Sequence, residues 1–272
     1  MNTDRFREED TAEFLRIAAA EGWISDDWEL GFLRSAFPQG CLVKRIQGFP
    51  AAFVTAVRYE RSGWIGNLLV QPDLRRRGIG AELMAEALDA LVQAGVETVW
   101  LTASPSGKQL YERLGFREID TIRRWEGAGL EIGPVSPAEL SLNELVRLDA
   151  DGWGDRRERL LSSLMEVGEV HAGPGGFLVV RPVGIQQQIG PWTGVSAAAL
   201  VTLLEQSVRP TRSDSGEIYC LDVPTGNAAV TRCLEWYGFE STGSTVLMTG
   251  LVFHEIGHKN YTRSLSGLQH AA

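Results

Sequence analysis

Apolar residues recur at helical spacing between Glu8 and Ala20, where Phe14, Leu15 and Ala18 share one face. A second helix is predicted from Asp26 to Ala36, ahead of Pro38. The chain then turns to β-branched and aromatic residues. Cys41 to Ile46, Ala51 to Tyr59 and Trp64 to Val70 are separated by Gly48-Phe49-Pro50 and Arg61-Ser62-Gly63, which predicts an antiparallel meander. After Gln71-Pro72-Asp73 and a segment of arginines and glycines, Leu83, Ala87, Leu88 and Leu91 mark a helix over Ala81 to Ala94 that packs on a core. A short buried strand (Val96 to Thr102), a short helix (Gly107 to Leu114) and a closing strand (Phe116 to Trp125) complete the first half.

Glu126 to Pro137 carries three glycines and two prolines among few apolar residues and reads as a linker. Beyond it the same order returns. Helices are expected over Pro137 to Leu148 and Arg156 to Met165, and paired strands over Gly176 to Arg181 and Ile185 to Ile189. Then come a helix (Ser196 to Ser207), a strand (Ile218 to Val223), a helix (Ala228 to Trp236) and a strand (Ser244 to Leu251). Leu114-Gly115-Phe116 and Tyr237-Gly238-Phe239 each close a short helix before a final strand, so the halves read as tandem copies of one unit. The expected fold is α/β of the α+β type. It comprises two domains, residues 1–128 and 129–252, each a mixed, mostly antiparallel twisted sheet flanked by helices, and a tail, 253–272.

Composition narrows the function. With 26 basic against 35 acidic residues the formal charge is −9, which argues against a nucleic-acid partner. Cys41, Cys220 and Cys233 show neither metal-ligand nor redox spacing and read as buried reduced thiols. The N-terminus lacks the apolar stretch of a signal peptide, and no apolar run suits a membrane span. A cytoplasmic protein without a membrane partner is expected.

Two motifs carry candidate chemistry. A strand that enters Arg75-Arg76-Arg77-Gly78-Ile79-Gly80 and leaves through a helix presents backbone N–H groups at the positive end of a helix dipole, a place for a pyrophosphate. A side chain at either glycine is expected to hold the anion away from those amides. The dinucleotide fingerprint would need a third glycine and an acid about 20 residues onward, and neither fits. The second motif, His254-Glu255-Ile256-Gly257-His258, matches the zinc-peptidase pattern H-E-x-x-H. Gly257 weakens the required helix, and the fourteen residues after His258 include no Asp or Glu as third ligand, only His270. No resident metal is expected.

The strand Leu68-Leu69-Val70-x-Pro72 before the loop, and Leu110-Tyr111-Glu112-Arg113-Leu114-Gly115-Phe116 about thirty residues after it, together resemble the GNAT superfamily of N-acetyltransferases over roughly residues 5–126. The resemblance implies acetyl-CoA as the cofactor and a primary amine, of a small molecule or a protein, as the acceptor. Leu68, Leu69 and Val70 would be the splayed strand that pairs with the pantetheine arm, the Val70 amide meeting the thioester oxygen. Arg75, Arg76, Arg77, Gly78, Ile79 and Gly80 would hold the pyrophosphate, and Tyr111 would be the general acid for the thiolate. Thr102 stands where some members of the family carry a glutamate base and cannot do that work. Glu60, at a strand end, is the substitute, with Asn67 placed to orient a water.

In the second half Gly190-Pro191-Trp192-Thr193-Gly194-Val195 stands in the place of the arginine loop, and Leu234 in that of Tyr111. That half resembles the degenerate C-terminal domain of some tandem GNAT proteins through Asp222-Val223-Pro224, Asn227 and Tyr237-Gly238-Phe239. Asp222 and Asn227 themselves read as turn and cap residues. Shaping the acceptor cleft or mediating a homodimer remain as its roles. The alternatives to an acyltransferase are a non-catalytic CoA-binding regulatory module and, more distantly, a zinc peptidase using His254 and His258.

Overall fold

The computed structural model describes residues 2–128, 130–132, 140–173, 175–210 and 217–251. The first half runs β1 (Asn2–Arg5), α1 (Thr11–Ala20), α2 (Asp27–Ala36), β2 (Leu42–Ile46), β3 (Phe49–Arg58), β4 (Ser62–Val70), α3 (Ile79–Gln93), β5 (Thr98–Ala103), α4 (Lys108–Arg113) and β6 (Arg117–Ala128). The second half adds β7 (Leu130–Ile132), α5 (Leu142–Trp153), α6 (Glu158–Val167), β8 (Glu169–Gly173), β9 (Gly176–Val183) and β10 (Gln186–Gly194). It ends with α7 (Ala197–Ser207), β11 (Val208–Pro210), β12 (Ile218–Pro224), α8 (Ala228–Trp236) and β13 (Glu240–Leu251).

Residues up to 119 together with 245–251 form one compact unit, and residues 120–244 the other. In the first, the strand order is β1-β2-β3-β4-β5-β13, antiparallel except for the parallel pair β4–β5. The second repeats this plan as β6-β12-β10-β9-β8, with β10–β12 as its parallel pair. Each is the mixed, mostly antiparallel sheet that the sequence predicts.

The division differs from a cut at residue 128. Each half gives its closing strand to the other unit: Val246–Leu251 of β13 pairs with Ala103–Thr98 of β5, and Ile122–Ala128 of β6 pairs with Pro224–Ile218 of β12. Alternation along a strand says which face is apolar and nothing about which neighbour it joins, so the exchange leaves no local mark. The same ladder carries β6 past Trp125, because Glu126 and Ala128 pair with Cys220 and Ile218. Further on, α5 starts at Leu142, where Ser141 and Glu144 form a capping box; the start expected at Pro137 lies outside the described residues. The strands β1 and β8 carry no apolar alternation, because their residues are largely polar or small.

Helix α3 covers one face of the first sheet, burying Leu83, Met84, Ala87 and Leu91 against Val54, Ile65, Val99 and Leu101, with Met248 from β13 in the same cluster. On the other face Phe6, Phe14 and Phe53 pack ring to ring at 5.0–5.7 Å. In the second unit α7 and α8 close on Leu178, Ile189, Tyr219 and Leu221. All three cysteines are free and buried. No described helix is long and apolar enough to cross a membrane. The segment His254–His258 and His270 lie outside the described residues, among which no His, Cys, Asp and Glu side chains gather as a metal site.

A fragment ending at residue 128 would lose the ladder on β5 and leave Trp125 without its β12 core. It is expected to show no cooperative thermal transition by circular dichroism, whereas residues 2–251 melt cooperatively; a sharp melt of the fragment would refute the exchange.

Candidate active site

Strands β4 and β5 run side by side for only three residue pairs, Ser62–Thr98, Gly63–Val99 and Trp64–Trp100, and then separate. The separation begins at a bulge. Between the β3–β4 pairs Thr55–Gly66 and Phe53–Leu69, one residue of β3 faces two of β4, and Asn67 takes the left-handed conformation with φ 55°. Beyond it, the Gln71 amide donates to the Ala51 carbonyl at 3.0 Å. Alternation along an antiparallel ladder then turns the Val70 N–H away from β3, toward the gap. Leu68 and Val70 pack on the α3 side of the sheet, and Leu69 is buried on the opposite side. Of the three sequence candidates, Leu69 therefore offers the gap no side chain.

The loop after β4 makes a 3-10 turn at Pro72–Leu74 and enters α3 through Gly78. Gly78 adopts φ 84°, and no side chain caps the helix. A Cβ at 78 would touch nothing within 4 Å, so glycine is required there by backbone conformation alone. At Gly80 a Cβ would lie at ordinary contact distance, 3.7–3.8 Å, from Leu68, Val70 and Leu110. Packing within the chain gives no reason for glycine at 80; a molecule lying across the helix start would. The first N–H groups of α3, Ile79 among them, have no partner within the helix and point at that position.

The three arginines divide their work. Arg75 donates from Nε to the Val70 carbonyl at 3.0 Å and pairs with Glu21. Arg77 donates to the Asp73 carbonyl at 2.9 Å. Arg76, in a left-handed conformation with φ 60°, is exposed, and no described residue pairs with its guanidinium. An anion at the helix start would meet Arg76 first.

Tyr111 projects from α4 into the cluster beneath α3, its ring edge-on to Phe116 at 6.2 Å and against Gly107, where a Cβ would come within 3.2 Å of it. No described residue hydrogen-bonds to its hydroxyl. Burial pushes the phenol up to about 12, so it keeps its proton throughout the neutral range.

Glu60 is not brought to this place. It is exposed in the hairpin before Ser62, at the far end of β4, with roughly 30 Å of extended chain between it and Val70. A different carboxylate stands beside the bulge: Glu29 of α2, 1% exposed, accepts from Asn67 Nδ2 at 3.2 Å and from Ser25 Oγ at 3.0 Å. A charged residue among apolar helix positions offered no sequence signal; only the fold sets it against Asn67. An open groove of about 910 Å³ between β1 and the far half of α3 shares none of these residues.

The second unit repeats the scaffold but not the open helix start. Its parallel pair covers Gln186–Gln188 and Ile218–Cys220, and a register shift follows between Ile189 and Trp192. Gly190–Gly194 is therefore strand, the counterpart of the splayed end of β4, rather than a loop. Only Val195 and Ser196 separate β10 from α7, and Ser196 accepts from the Ala199 amide at 3.2 Å, so this helix start is capped from within. The Gly-Phe corners superpose in their bonding. Phe116 N donates to the Tyr111 carbonyl at 3.0 Å and Phe239 N to that of Leu234 at 2.9 Å, which makes Leu234 the counterpart of Tyr111. Asn227 caps α8 through the Val230 amide, whereas Asp222 forms a two-pronged ion pair with Arg124 at 2.7 and 3.0 Å rather than a turn.

The two glycines of the first loop should separate on substitution. Gly78→Ala must hold an alanine at positive φ and is expected to cost about 1 kcal/mol, whereas Gly80→Ala should leave thermal stability unchanged; equal losses in calorimetric melting would contradict the distinction.

The family model for the acetyltransferase (GNAT) family matches residues 3–116, and that for the acetyltransferase (GNAT) domain matches residues 145–253. The [ribosomal protein bS18]-alanine N-acetyltransferase of Escherichia coli (strain K12) is 44% identical over 80 residues, 28% of this chain. The chain spans about half, 53%, of that relative's length. A solved structure from Pyrococcus horikoshii is 20% identical with a TM-score of 0.76, over 96% of this chain and 92% of that one. A tandem GNAT protein from the clavulanic acid biosynthesis pathway gives 16% and 0.57, over 94% and 99%. With both halves matched and the fold shared over nearly its whole length, the chain belongs to the GNAT superfamily as a tandem, two-domain member.

Proposed function

We propose that the chain is an acetyl-CoA-dependent N-acetyltransferase that moves the acetyl group directly onto a primary amine, with the chemistry confined to the first unit. The observation that carries this reading is the parting of β4 and β5 beside an uncapped helix start. An extended amide-bearing arm can complete the edge of β4 there, as an added strand does. The open amides of α3 and Arg76 suit the diphosphate at its other end, and Gly80 leaves it room. The Val70 N–H faces the gap, where it can stabilise the oxygen of the tetrahedral intermediate.

In the reaction the amine nitrogen forms a bond to the thioester carbon and the C–S bond breaks. Tyr111 gives its proton to the departing sulfur and regains one from the nitrogen, which sheds it as the amide forms. Its high pKa keeps the phenol protonated at working pH. Buried free thiols fit a reducing compartment such as the cytoplasm. An N-terminal alanine is the first acceptor to test, because the Escherichia coli relative is named for one. In the second unit, the capped start of α7 and Leu234 suit a role in packing rather than catalysis.

Tyr111→Phe is expected to lower kcat by about 10²-fold while the acetyl-CoA dissociation constant stays within a factor of about two, and the wild type should keep its activity on the alkaline side until close to the Tyr111 pKa of about 12. Calorimetric titration is expected to find a single acetyl-CoA per chain; two would show that the second unit binds as well. Binding without turnover across peptide N-termini, lysine side chains and polyamines would favour a regulatory CoA-binding module instead.

A further inference from the structure

Cations of the first unit gather at a second place. Arg5, Arg7 and Arg58 line the open groove of about 910 Å³ between β1 and the far half of α3, in a chain whose formal charge is −9. Two of the three carboxylates along the groove are already met by cations outside its lining. Cross-strand pairs share a face, so Arg5 opposite Leu42 and Thr3 opposite Lys44 point to the α3 side. Asp4 points to the other side and pairs there with Arg45 at 3.2 Å. Glu86 accepts from Thr3 Oγ1 at 2.8 Å and stands 4.0 Å from Lys44. Asp89 is the remaining carboxylate of the lining.

The arginines are less committed. Arg5 donates to the neutral Pro38 carbonyl at 3.0 Å, Arg7 reaches the exposed Glu9 at 3.6 Å, and no described residue pairs with Arg58. The groove is therefore a cationic place on an acidic chain. Its floor is apolar, with Phe37 and Leu42 each 7% exposed and Ala90 beside them on α3. Gln39 and Gln93 line it too, and each side-chain amide carries a donor and an acceptor, the complement of a peptide group. Strand β1 is the outermost of its sheet, so its outer backbone groups have no strand partner among the described residues. Because the Asp4 carboxylate is turned away, Asp4 borders the groove with its backbone.

We propose that this groove docks an extended peptide segment in which acidic residues alternate with apolar ones. Successive side chains of an extended chain point to opposite sides. One set then reaches the floor of Phe37 and Leu42 while the other meets the arginines, whose planar forks match carboxylates. Bonds to the β1 edge and to the two glutamines hold the backbone. A lone small anion fits less well, because it would leave the apolar floor unused and the volume is near the top of the roughly 300–1,000 Å³ that ligand sites span. The acidic balance of the chain weighs against a nucleic acid. The groove shares no residue with the parting of β4 and β5, so this docking does not depend on the acetyltransferase reading.

The test titrates the whole chain into a fluorescein-labelled hexapeptide of alternating glutamate and leucine, followed by fluorescence polarisation. Saturable one-to-one binding is expected. Arg58→Glu, and Ala90→Glu, which sets a charge on the floor, should each weaken it about tenfold or more, and a lysine–leucine peptide should bind at least as poorly. The proposal fails if there is no saturable binding, if Arg58→Glu changes nothing, or if hexaglutamate binds as tightly as the mixed peptide. A uridine hexanucleotide that binds more tightly than the peptide would also overturn it. Should the variants fail to fold, amide resonances of the wild type decide: the peptide is expected to shift Thr3, Asp89 and Gln93, and shifts confined to residues 75–80 would place it at the helix start instead. A dimer in sedimentation that Ala90→Glu disperses and the peptide leaves intact would give the groove to a second copy and sink the proposal.

Discussion

Everything at the site follows from hydrogen bonds that β4 and β5 do not make. Two parallel strands in register would bond along their whole length; here the ladder stops after Trp64–Trp100. The bulge at Asn67 adds a residue to β4 and turns it away, which leaves backbone groups on the β4 edge facing a gap instead of a neighbour. Unpaired strand edges invite another extended backbone. The defect in the sheet leaves an open strand edge, and α3 begins after the freed strand ends.

A bulge of this kind needs support, because a non-glycine residue at φ 55° is strained. Asn67 receives it through its side chain, which is fixed by Thr55 below and by Glu29 from α2. Burying a carboxylate is costly unless donors meet it, and Asn67 and Ser25 do so here. One small polar network therefore ties α2 to the strand that borders the gap.

The second unit shows which parts of that arrangement are scaffold. It keeps the parallel pair, the register shift and the left-handed Gly238 corner, so the splay survives. What differs is the helix start. A two-residue connection and the Ser196 cap fill from within what the first unit leaves open, and Leu234 fills the core where Tyr111 brings a hydroxyl. The fold persists because apolar packing maintains it, while a few polar groups at the helix start are differently placed.

By itself the sequence determined the local elements and the family. Periodicity set the helices, the Arg75–Gly80 segment marked an open helix start, and the two Gly-Phe corners disclosed the repeat. These are readable because spacing, turn chemistry and capping act within a few residues. Tertiary structure alone decided the rest: β6 and β13 changed units, Glu60 was left at the far end of its strand, and Glu29 was set against Asn67, 38 positions along the chain. Strand partners and buried polar contacts depend on which surfaces meet after the chain collapses, and no local pattern of hydrophobic and polar residues encodes that choice.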